Sequence, residues 1–284
     1  MVRTALMAPK DYVFAVADYS AIEARVLAYL AREEWRLEVF RTHGKIYEAS
    51  ASMMTGVPIE DIKKRSDLRN RGKVAELALG YQGGHNAMKT MGGESMGLSE
   101  FEMKSIVKKW RKANPRIVRF WRNMDSCSKE AILNPGQIIH SEFKELLFHY
   151  DKTILTIQLP SGRKMCYYDA ELGPGKFGKL VVRYKGIIQK TNQWDWIDTY
   201  GGKLTENVVQ AFSRDVLAEA MLRLDKAGFK IPIHVHDEAA IESLESDIDT
   251  NLSLMCDLMG EPMPWAPGLP LVAEGYATKF YKKD

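Results

Sequence analysis

Residues 12–17, Tyr-Val-Phe-Ala-Val-Ala, form an unbroken apolar run that constrains the fold more than any other stretch of the chain. A run this short and this rich in β-formers reads as a buried strand, which needs a sheet around it and cover on its faces. It ends at Asp18, and a helix is expected almost at once. Ser20 followed by Glu23 matches a capping box, and Ile22, Val26 and Leu30 recur at helical spacing. Asp18 is therefore expected at a strand-to-helix junction, where a side chain faces open space.

From about Arg32 to Glu130 the pattern is mostly helical. It is broken at Gly56-Val57-Pro58, at Gly83-Gly84, between Gly92 and Gly97, and at Asn114-Pro115. From Leu133 to about Tyr200 the reading changes. Turns at Asn134-Pro135-Gly136, Leu159-Pro160-Ser161-Gly162 and Gly173-Pro174-Gly175 separate β-rich runs, and an irregular β insertion is expected. Gly201-Gly202 precedes a helix expected over Thr205 to Ala227. A hairpin follows, with strands Ile231–Val235 and Glu238–Glu242 joined by a tight turn at His236-Asp237. A last helix and a strand near Leu269–Tyr276 close the chain. The order, β at both ends and helices between, predicts an α+β fold.

Composition narrows the classes without choosing one. The 284 residues are 45% hydrophobic, enough for a sizeable core and against disorder. Net charge is only +3, so any nucleic-acid affinity must come from local charge. Cys127, Cys166 and Cys256 are far apart and form no C-x-x-C pair, which argues against a zinc ribbon or disulfide framework and fits a reducing cytoplasm. No apolar run approaches the length of roughly 18 residues needed to cross a membrane, and the first ten residues lack a signal-peptide apolar core.

Two acids stand out by position. Asp18 ends one strand and Asp237 tips a hairpin, so the two converge if their strands share a sheet. Paired carboxylates at open strand ends suit Mg²⁺, a hard ion that keeps waters and binds substrate phosphates. Either acid alone is equally served by the local bonding role of Asp at turns. A second signal is the helix RNRGKVAELALGYQGG, expected over 69–82, in which Arg69, Lys73, Leu77 and Tyr81 fall at four-residue intervals on one side. Cations in a first turn oppose the helix dipole, which makes sense where an anion docks. The plainer reading is a solvated basic face. Gly72 and Gly80 each cost the helix roughly 1 kcal/mol and imply close approach or bending. Between Lys104 and Arg122, eight residues are basic and none acidic, with Trp110, Phe120 and Trp121 interleaved; a second basic cluster is Lys63, Lys64 and Arg65. Such a run can track a template strand, but is more often a solvated helix face with its aromatics in the core.

These segments carry a resemblance. DYSAIEAR, from Asp18 to Arg25, is similar to motif A of family A DNA polymerases, whose pattern is DYSQIELR. The frame of Arg69, Lys73 and Tyr81 resembles motif B, the O helix of the fingers, and HVHDE, from His234 to Glu238, resembles motif C. The three occur in the family's order. KVAELALGYQGG and YGGKLTENVVQA look like the phage and prophage branch of the bacterial DNA polymerase I-like group.

The resemblance implies an α+β palm and fingers: an antiparallel palm sheet from residues 1–31 and 205–284, and a mostly helical fingers subdomain over 32–204 carrying the β-rich insertion. The family's thumb and exonuclease would lie upstream, outside this sequence. It implies a DNA-directed DNA polymerase that joins deoxynucleotides to a primer 3′-OH, with DNA primer–template and dNTPs as partners, no membrane, and two Mg²⁺ ions replaceable by Mn²⁺. Asp18 and Asp237 would bind the metals, helped by the Tyr19 carbonyl, with Glu238 in the metal region. Glu23 would be the steric gate against a ribose 2′-OH, a role compatible with capping. Arg69 and Lys73 would hold the triphosphate, Lys73 also protonating pyrophosphate. Tyr81 would pack at the nascent base pair, with Arg25, Gln210 and His236 along the primer–template.

Several positions depart from the pattern. Ala21 replaces a Gln, Leu77 replaces the Phe or Tyr that touches the sugar, Tyr47 stands where a phosphate-contacting His is usual, and Glu206 stands where an Asn is usual. Three other readings compete. They are a single-subunit RNA polymerase, against which Glu23 argues; a truncated, non-catalytic DNA-binding remnant, since motif A begins close to Met1; and a metal hydrolase using His234 and His236, for which no downstream ligands follow.

Overall fold

The computed structural model describes residues 3–143, 146–175 and 178–282. The fold is α+β with two antiparallel sheets. The chain opens with β1 (Tyr12–Tyr19), α1 (Ile22–Ala31), α2 (Glu34–Thr42), α3 (Ile46–Thr55), α4 (Ile59–Ile62), α5 (Ser66–Leu79), α6 (His85–Thr90), α7 (Glu100–Ala113) and α8 (Pro115–Leu133). Strands β2 (Ile138–His140), β3 (Leu147–Tyr150), β4 (Leu155–Gln158), β5 (Lys164–Pro174), β6 (Leu180–Ile188) and β7 (Gln193–Thr199) follow. Then come α9 (Gly201–Lys226), β8 (Ile233–Val235), β9 (Glu238–Leu244), α10 (Ile248–Gly260) and β10 (Ala273–Thr278). The chain divides into two compact units, one of Met1–Val26 with Gln210–Asp284, the other of Leu27–Val209.

The first unit holds a four-stranded sheet in the order β10-β1-β9-β8. The apolar run makes β1 an inner strand: Phe14, Ala15, Val16 and Ala17 are all buried. Phe14 and Val16 point to one face, where they pack with Ala8, Ala240 and Tyr281. Tyr19, of the other parity, donates its hydroxyl to the Met259 carbonyl of α10 at 2.8 Å. The strand runs two residues further than its apolar stretch. Asp18 and Tyr19 stay in the ladder because Asp18 pairs with Glu238 and Glu274, and Tyr19 with Ala273. Asp18 thus belongs to the strand itself rather than to the junction after it.

The start of α1 differs from expectation. The Ala21 carbonyl accepts the first helical bond, from Arg25 N–H at 3.1 Å, so the capping position is Ala21 and not Ser20. Ala21 has φ 51°, a left-handed conformation adopted where the strand turns sharply into the helix.

In the second unit α5 packs on α3, and Gly72 marks the contact. A Cβ there would lie 2.1 Å from the Tyr47 carbonyl oxygen, so only glycine lets the two backbones approach. A buried polar cluster ties the helices together. The Arg36 guanidinium of α2 pairs with the Glu76 carboxylate of α5, and donates to Asn114 Oδ1 at 3.1 Å. Trp110 Nε1 donates to the same Glu76 carboxylate at 2.9 Å. Glu33 caps α8 from outside its own helix, accepting from Arg116 N–H at 2.9 Å and Ile117 N–H at 3.3 Å. Burial pushes its carboxyl up, while these two bonds pull it back.

The expected irregular insertion is a regular meander: a six-stranded sheet whose strands lie side by side in chain order, β2 to β7. Alternation supplies its inner face, with Phe148, Leu155 and Ile157 fully buried and Phe120 of α8 meeting Phe143 edge-on at 5.1 Å. A register shift between Tyr168 and Glu171, with Asp169 at φ 49°, hides that regularity in the sequence. Helix α9 begins at Gly201, ahead of the expected Thr205, and a Cβ at Gly201 would sit 1.9 Å from the Trp121 carbonyl oxygen.

Candidate active site

Two strands and a two-residue turn bring the acids of the first unit together. Asp18 lies opposite Glu238 on β9, and Asp237 is the residue before Glu238 at the hairpin tip. The tip is closed by His236, which takes φ 54°; His is among the side chains that tolerate this conformation. The Asp18 carboxyl is pushed above the ordinary range, first by burial, then by the negative charge of Asp237 and Glu238, with a smaller push from Glu274. No ion pair to Asp18 or Asp237 occurs among the described residues. This is a site with excess negative charge and no protein cation on its two central acids.

A cavity of about 550 Å³ opens beside Asp237. Glu23 of α1, Gln210, Ser213 and Arg214 of α9, and His236 and Asp237 of the hairpin line it. Glu23 and His236 are exposed, and Asp237 is half-buried. Five of the predicted residues, Asp18, Glu23, Gln210, His236 and Asp237, thus belong to one neighbourhood of the first unit. Sequence reasoning missed Ser213 and Arg214. The signal was present, since they stand three and four places after Gln210 and so share its helix face.

Two predicted residues, Arg25 and Glu238, are placed otherwise. Arg25 was expected along a nucleic acid, but it is 2% exposed. Its Nε donates to the Ser20 carbonyl at 2.6 Å and Nη1 to the Pro270 carbonyl at 3.2 Å, so it braces the turn between β1 and α1. Glu238 was expected at the metals, yet its carboxylate is buried and accepts the Tyr281 hydroxyl. Its influence on Asp18 is electrostatic. The Tyr19 side chain is buried against α10, leaving only its backbone in the neighbourhood of Asp18.

In the second unit α5 carries Arg69, Lys73 and Leu77 on an exposed face, opposite buried Leu68, Ala75 and Leu79. Arg69 Nε donates to Glu48 Oε1 at 2.9 Å, with the Tyr47 ring 5.7 Å from the guanidinium carbon. Glu48 was not anticipated. Tyr81 is off this helix, which ends at Leu79 rather than continuing to 82. The end has a physical cause: Trp121 Nε1 takes the Gly80 carbonyl at 2.8 Å, Arg111 takes the Gly83 carbonyl at 3.1 Å, and Gln82 turns left-handed at φ 66°. The long basic stretch forms α7 and α8, where Trp110, Phe120 and Trp121 are in the core and offer no stacking surface. Among the described residues no group of three or more His, Cys, Asp or Glu side chains could hold a metal, which leaves the His234/His236 pair without partners. Among the described residues no helix is long and apolar enough to cross a membrane.

The chain as a whole is similar to known DNA polymerases. The family described as DNA polymerase family A matches residues 1–134. A DNA polymerase of Bacillus phage SP02 is 50% identical over 287 aligned residues, spanning the whole of this chain and 43% of the phage protein. The thermostable DNA polymerase I of Thermus aquaticus is 23% identical over 279 residues, covering 96% of this chain and 27% of that enzyme. Among solved structures, the POL domain of Pol1 from M. smegmatis, in complex with DNA primer-template and dNTP, aligns with 99% of this chain and 42% of its own, at a TM-score of 0.67 and 19% identity. That likeness is one of fold. The chain spans less than half the length of these relatives.

Proposed function

Because this chain belongs to DNA polymerase family A, we propose that it forms the palm and fingers of a DNA-directed DNA polymerase. Residues 1–31 and 205–284 act as palm and 32–204 as fingers. The reaction is nucleotidyl transfer. The primer 3′ hydroxyl gives up its proton to solvent and its oxygen bonds to the α-phosphorus of a dNTP, the bond from that phosphorus to the bridging oxygen of the β-phosphate breaks, and pyrophosphate leaves with the electron pair.

The observation that carries this reading is the meeting of Asp18 and Asp237. Burial, and then the negative charge of Asp237 and Glu238, lifts the Asp18 carboxyl above its ordinary range, and among the described residues no ion pair to either Asp occurs. Two carboxylates with open surroundings fit magnesium, which completes its shell with water and phosphate oxygens. Asp18, Asp237 and the Tyr19 carbonyl would hold it. When bound, such ions lower the pKa of the attacking hydroxyl and offset charge on the leaving phosphates. The remaining roles fall to side chains. Glu23, exposed at the cavity, crowds a 2′-OH. Gln210 and His236 meet the primer–template. Arg69 and Lys73 bind the triphosphate, with Lys73 supplying the proton that pyrophosphate takes up. Phosphoryl transfer asks a protein mainly for positioning and charge, which these groups supply.

Primer extension with the protein and Asp237→Ala tests the reading. Loss of extension with unchanged thermal unfolding is expected. Extension at the unsubstituted rate would end the assignment of Asp237, and failure of the unsubstituted protein to extend any primer would end the reading as a whole.

A further inference from the structure

We infer that the open face of the meander sheet binds a single strand of nucleic acid, with bases stacked on Tyr168 and Trp194 and a backbone phosphate held by Lys164. The face lies wholly within the second unit. It shares no residue with the cavity beside Asp237, so this inference and the reading of that cavity can fail separately.

Alternation sorts the side chains of the strands onto two faces. Phe148, Leu155, Ile157 and Val182 are buried on one. On the other, His140, Leu147, Gln158 and Lys164 lie opposite one another across β2 to β5. Further along β5, Tyr168 lies opposite Lys185 of β6, which lies opposite Trp196 of β7. Trp194 stands two places from Trp196 and shares its face. The six strands thus present one surface, with a cation and hydrogen-bonding side chains at the β2–β5 end and aromatic rings at the β5–β7 end.

The aromatic end is left in water. Tyr168 is 50% exposed and Trp194 57%, with ring centroids 6.3 Å apart and planes inclined at 48°. Rings inclined in this way do not cover each other's faces, so each keeps a face for a flat ligand. Neither the Tyr168 hydroxyl nor the Trp194 indole N–H makes a hydrogen bond among the described residues. Trp196 is framed by the Arg183 guanidinium carbon at 4.5 Å and the Lys185 ammonium at 5.3 Å from its ring centroid. Glu171 and Asp169 balance those two cations, so this end attracts by stacking and not by net charge.

The other end supplies the charge. Lys164 is exposed and forms no ion pair among the described residues. It borders a cavity of about 220 Å³ lined also by Ile138, Leu147, His149, Thr156 and Gln158, with no carboxylate among them. An ammonium beside amide, hydroxyl and imidazole groups suits a phosphate. Lys164 and Tyr168 are four residues apart on β5, about 13 Å, so a ligand that spans them is extended and carries both anionic groups and flat rings. A single nucleic-acid strand has these properties, whereas a duplex keeps its bases paired inside and cannot lay them on the rings. A protein partner is drawn by contiguous apolar surface, but the exposed Ile138 of β2 and Ile187 of β6 are separated by Gln158, Lys164 and Lys185.

The test uses the 284-residue chain and a fluorescein-labelled oligodeoxythymidylate, with binding followed by anisotropy over a range of salt. Trp194→Ala is expected to weaken binding about tenfold, the effect of losing one stacked base, while Trp194→Phe keeps a ring and most of the affinity. Lys164→Ala should reduce the slope of log K against log salt by about 0.7, the value for one phosphate contact on a single strand. Lys109→Ala, which removes an exposed cation of α7, should change neither affinity nor slope. Binding of a blunt-ended duplex should be the same in Trp194→Ala as in the unsubstituted protein.

A second readout needs no substitution. Ultraviolet cross-linking of the unsubstituted protein to an oligonucleotide carrying 5-iododeoxyuridine, followed by peptide mass spectrometry, should place adducts on Tyr168 or Trp194. Unchanged single-strand affinity in Trp194→Ala would overturn the inference. So would a Trp194→Phe variant as weak as Trp194→Ala, an equal loss in Lys109→Ala, or adducts confined to residues outside the sheet. A chain that binds no single strand would also overturn it and would leave the reading of the Asp237 cavity, which primer extension tests, where it stands.

Discussion

Arg69 donates its Nε–H to Oε1 of Glu48 at 2.9 Å. The bond engages the inner edge of the guanidinium, and the side chain remains 45% exposed above a Glu48 carboxylate that is 11% exposed. Glu48 therefore fixes the direction in which Arg69 presents its terminal nitrogens, and Tyr47 supports the same group from below. If Arg69 binds a triphosphate, Glu48→Ala should raise the dNTP KM several-fold, on the order of 1 kcal/mol given the solvent exposure of the pair. kcat should change little. Glu48→Gln keeps an acceptor and should retain most of the affinity. Steady-state extension kinetics at varied dNTP check this; a loss confined to kcat would contradict it.

The raised carboxyl of Asp18 makes a prediction about stability. Burial, Asp237 and Glu238 make the folded protein hold that proton to a higher pH than the unfolded chain does. In the window just above the ordinary carboxylate range the native state binds more protons, so stability falls as pH rises through it. Without divalent cations, Asp18→Asn should therefore melt higher than the unsubstituted protein at neutral pH. The difference should vanish below about pH 3.9, where the carboxyl is protonated in both states. Added Mg²⁺ should raise the melting temperature of the unsubstituted protein more than that of Asp18→Asn. Melting curves over pH, with and without magnesium, decide the point, and a less stable Asp18→Asn at neutral pH would show that the acids are not in conflict.

The Arg36–Glu76 pair is deeply buried, with side chains 1% and 4% exposed. Removing one partner of such a pair strands a charge, so Arg36→Met should cost about 3–5 kcal/mol. Arg36→Met with Glu76→Gln should recover part of this, because a neutral amide still accepts from Trp110 Nε1 without a buried charge. Urea unfolding of the two single variants and the double variant gives the coupling directly. Additive losses would mean that the two side chains do not depend on each other.

Gly72 should not tolerate a methyl group. In Gly72→Ala the new Cβ meets backbone, the Tyr47 carbonyl oxygen at 2.1 Å, so α5 must move away from α3. Overpacking of this kind costs about 1–3 kcal/mol, against which better helix propensity returns roughly 1 kcal/mol. A net loss of stability is expected from denaturant midpoints, together with a higher dNTP KM because α5 carries Arg69 and Lys73. A more stable variant with unchanged KM would remove the close packing.

How far the sequence revealed this arrangement depended on the range of the interactions. The apolar run of β1, the His236-Asp237 turn and the Arg69–Lys73–Leu77 stripe are local patterns, and each was legible. The burial of Arg25 was not, because it depends on the Pro270 carbonyl, remote in the chain. Tyr81 leaves its helix because Trp121 and Arg111, from elsewhere, take carbonyls at its end. Glu33 caps α8 from far upstream, a role that no local capping pattern announces. The meander of β5 to β7 was hidden by a bulge that breaks the two-residue alternation. Arg214 was overlooked for the opposite reason. Its spacing from Gln210 was visible, but only the cavity distinguishes it from an ordinary solvated arginine.

Sugar selection offers the sharpest functional check on the cavity. Glu23 is exposed on the first turn of α1 and lines the same cavity as Asp237, so its carboxylate borders the space that a nucleotide sugar would fill. Because α1 is capped at Ala21 and not at Ser20, Glu23 is not committed to the capping box that its spacing suggested. Glu23→Ala should still fold, as thermal unfolding checks. It should also relax discrimination against ribonucleotides at least tenfold, the order of 1–3 kcal/mol for opening a pocket by a few heavy atoms. Glu23→Gln keeps the bulk and should retain most of the discrimination. Parallel primer extension with each dNTP and its ribonucleotide counterpart measures the ratio. If Glu23→Ala keeps its selectivity, or if Glu23→Gln loses it, the exclusion is not steric and Glu23 is not the gate.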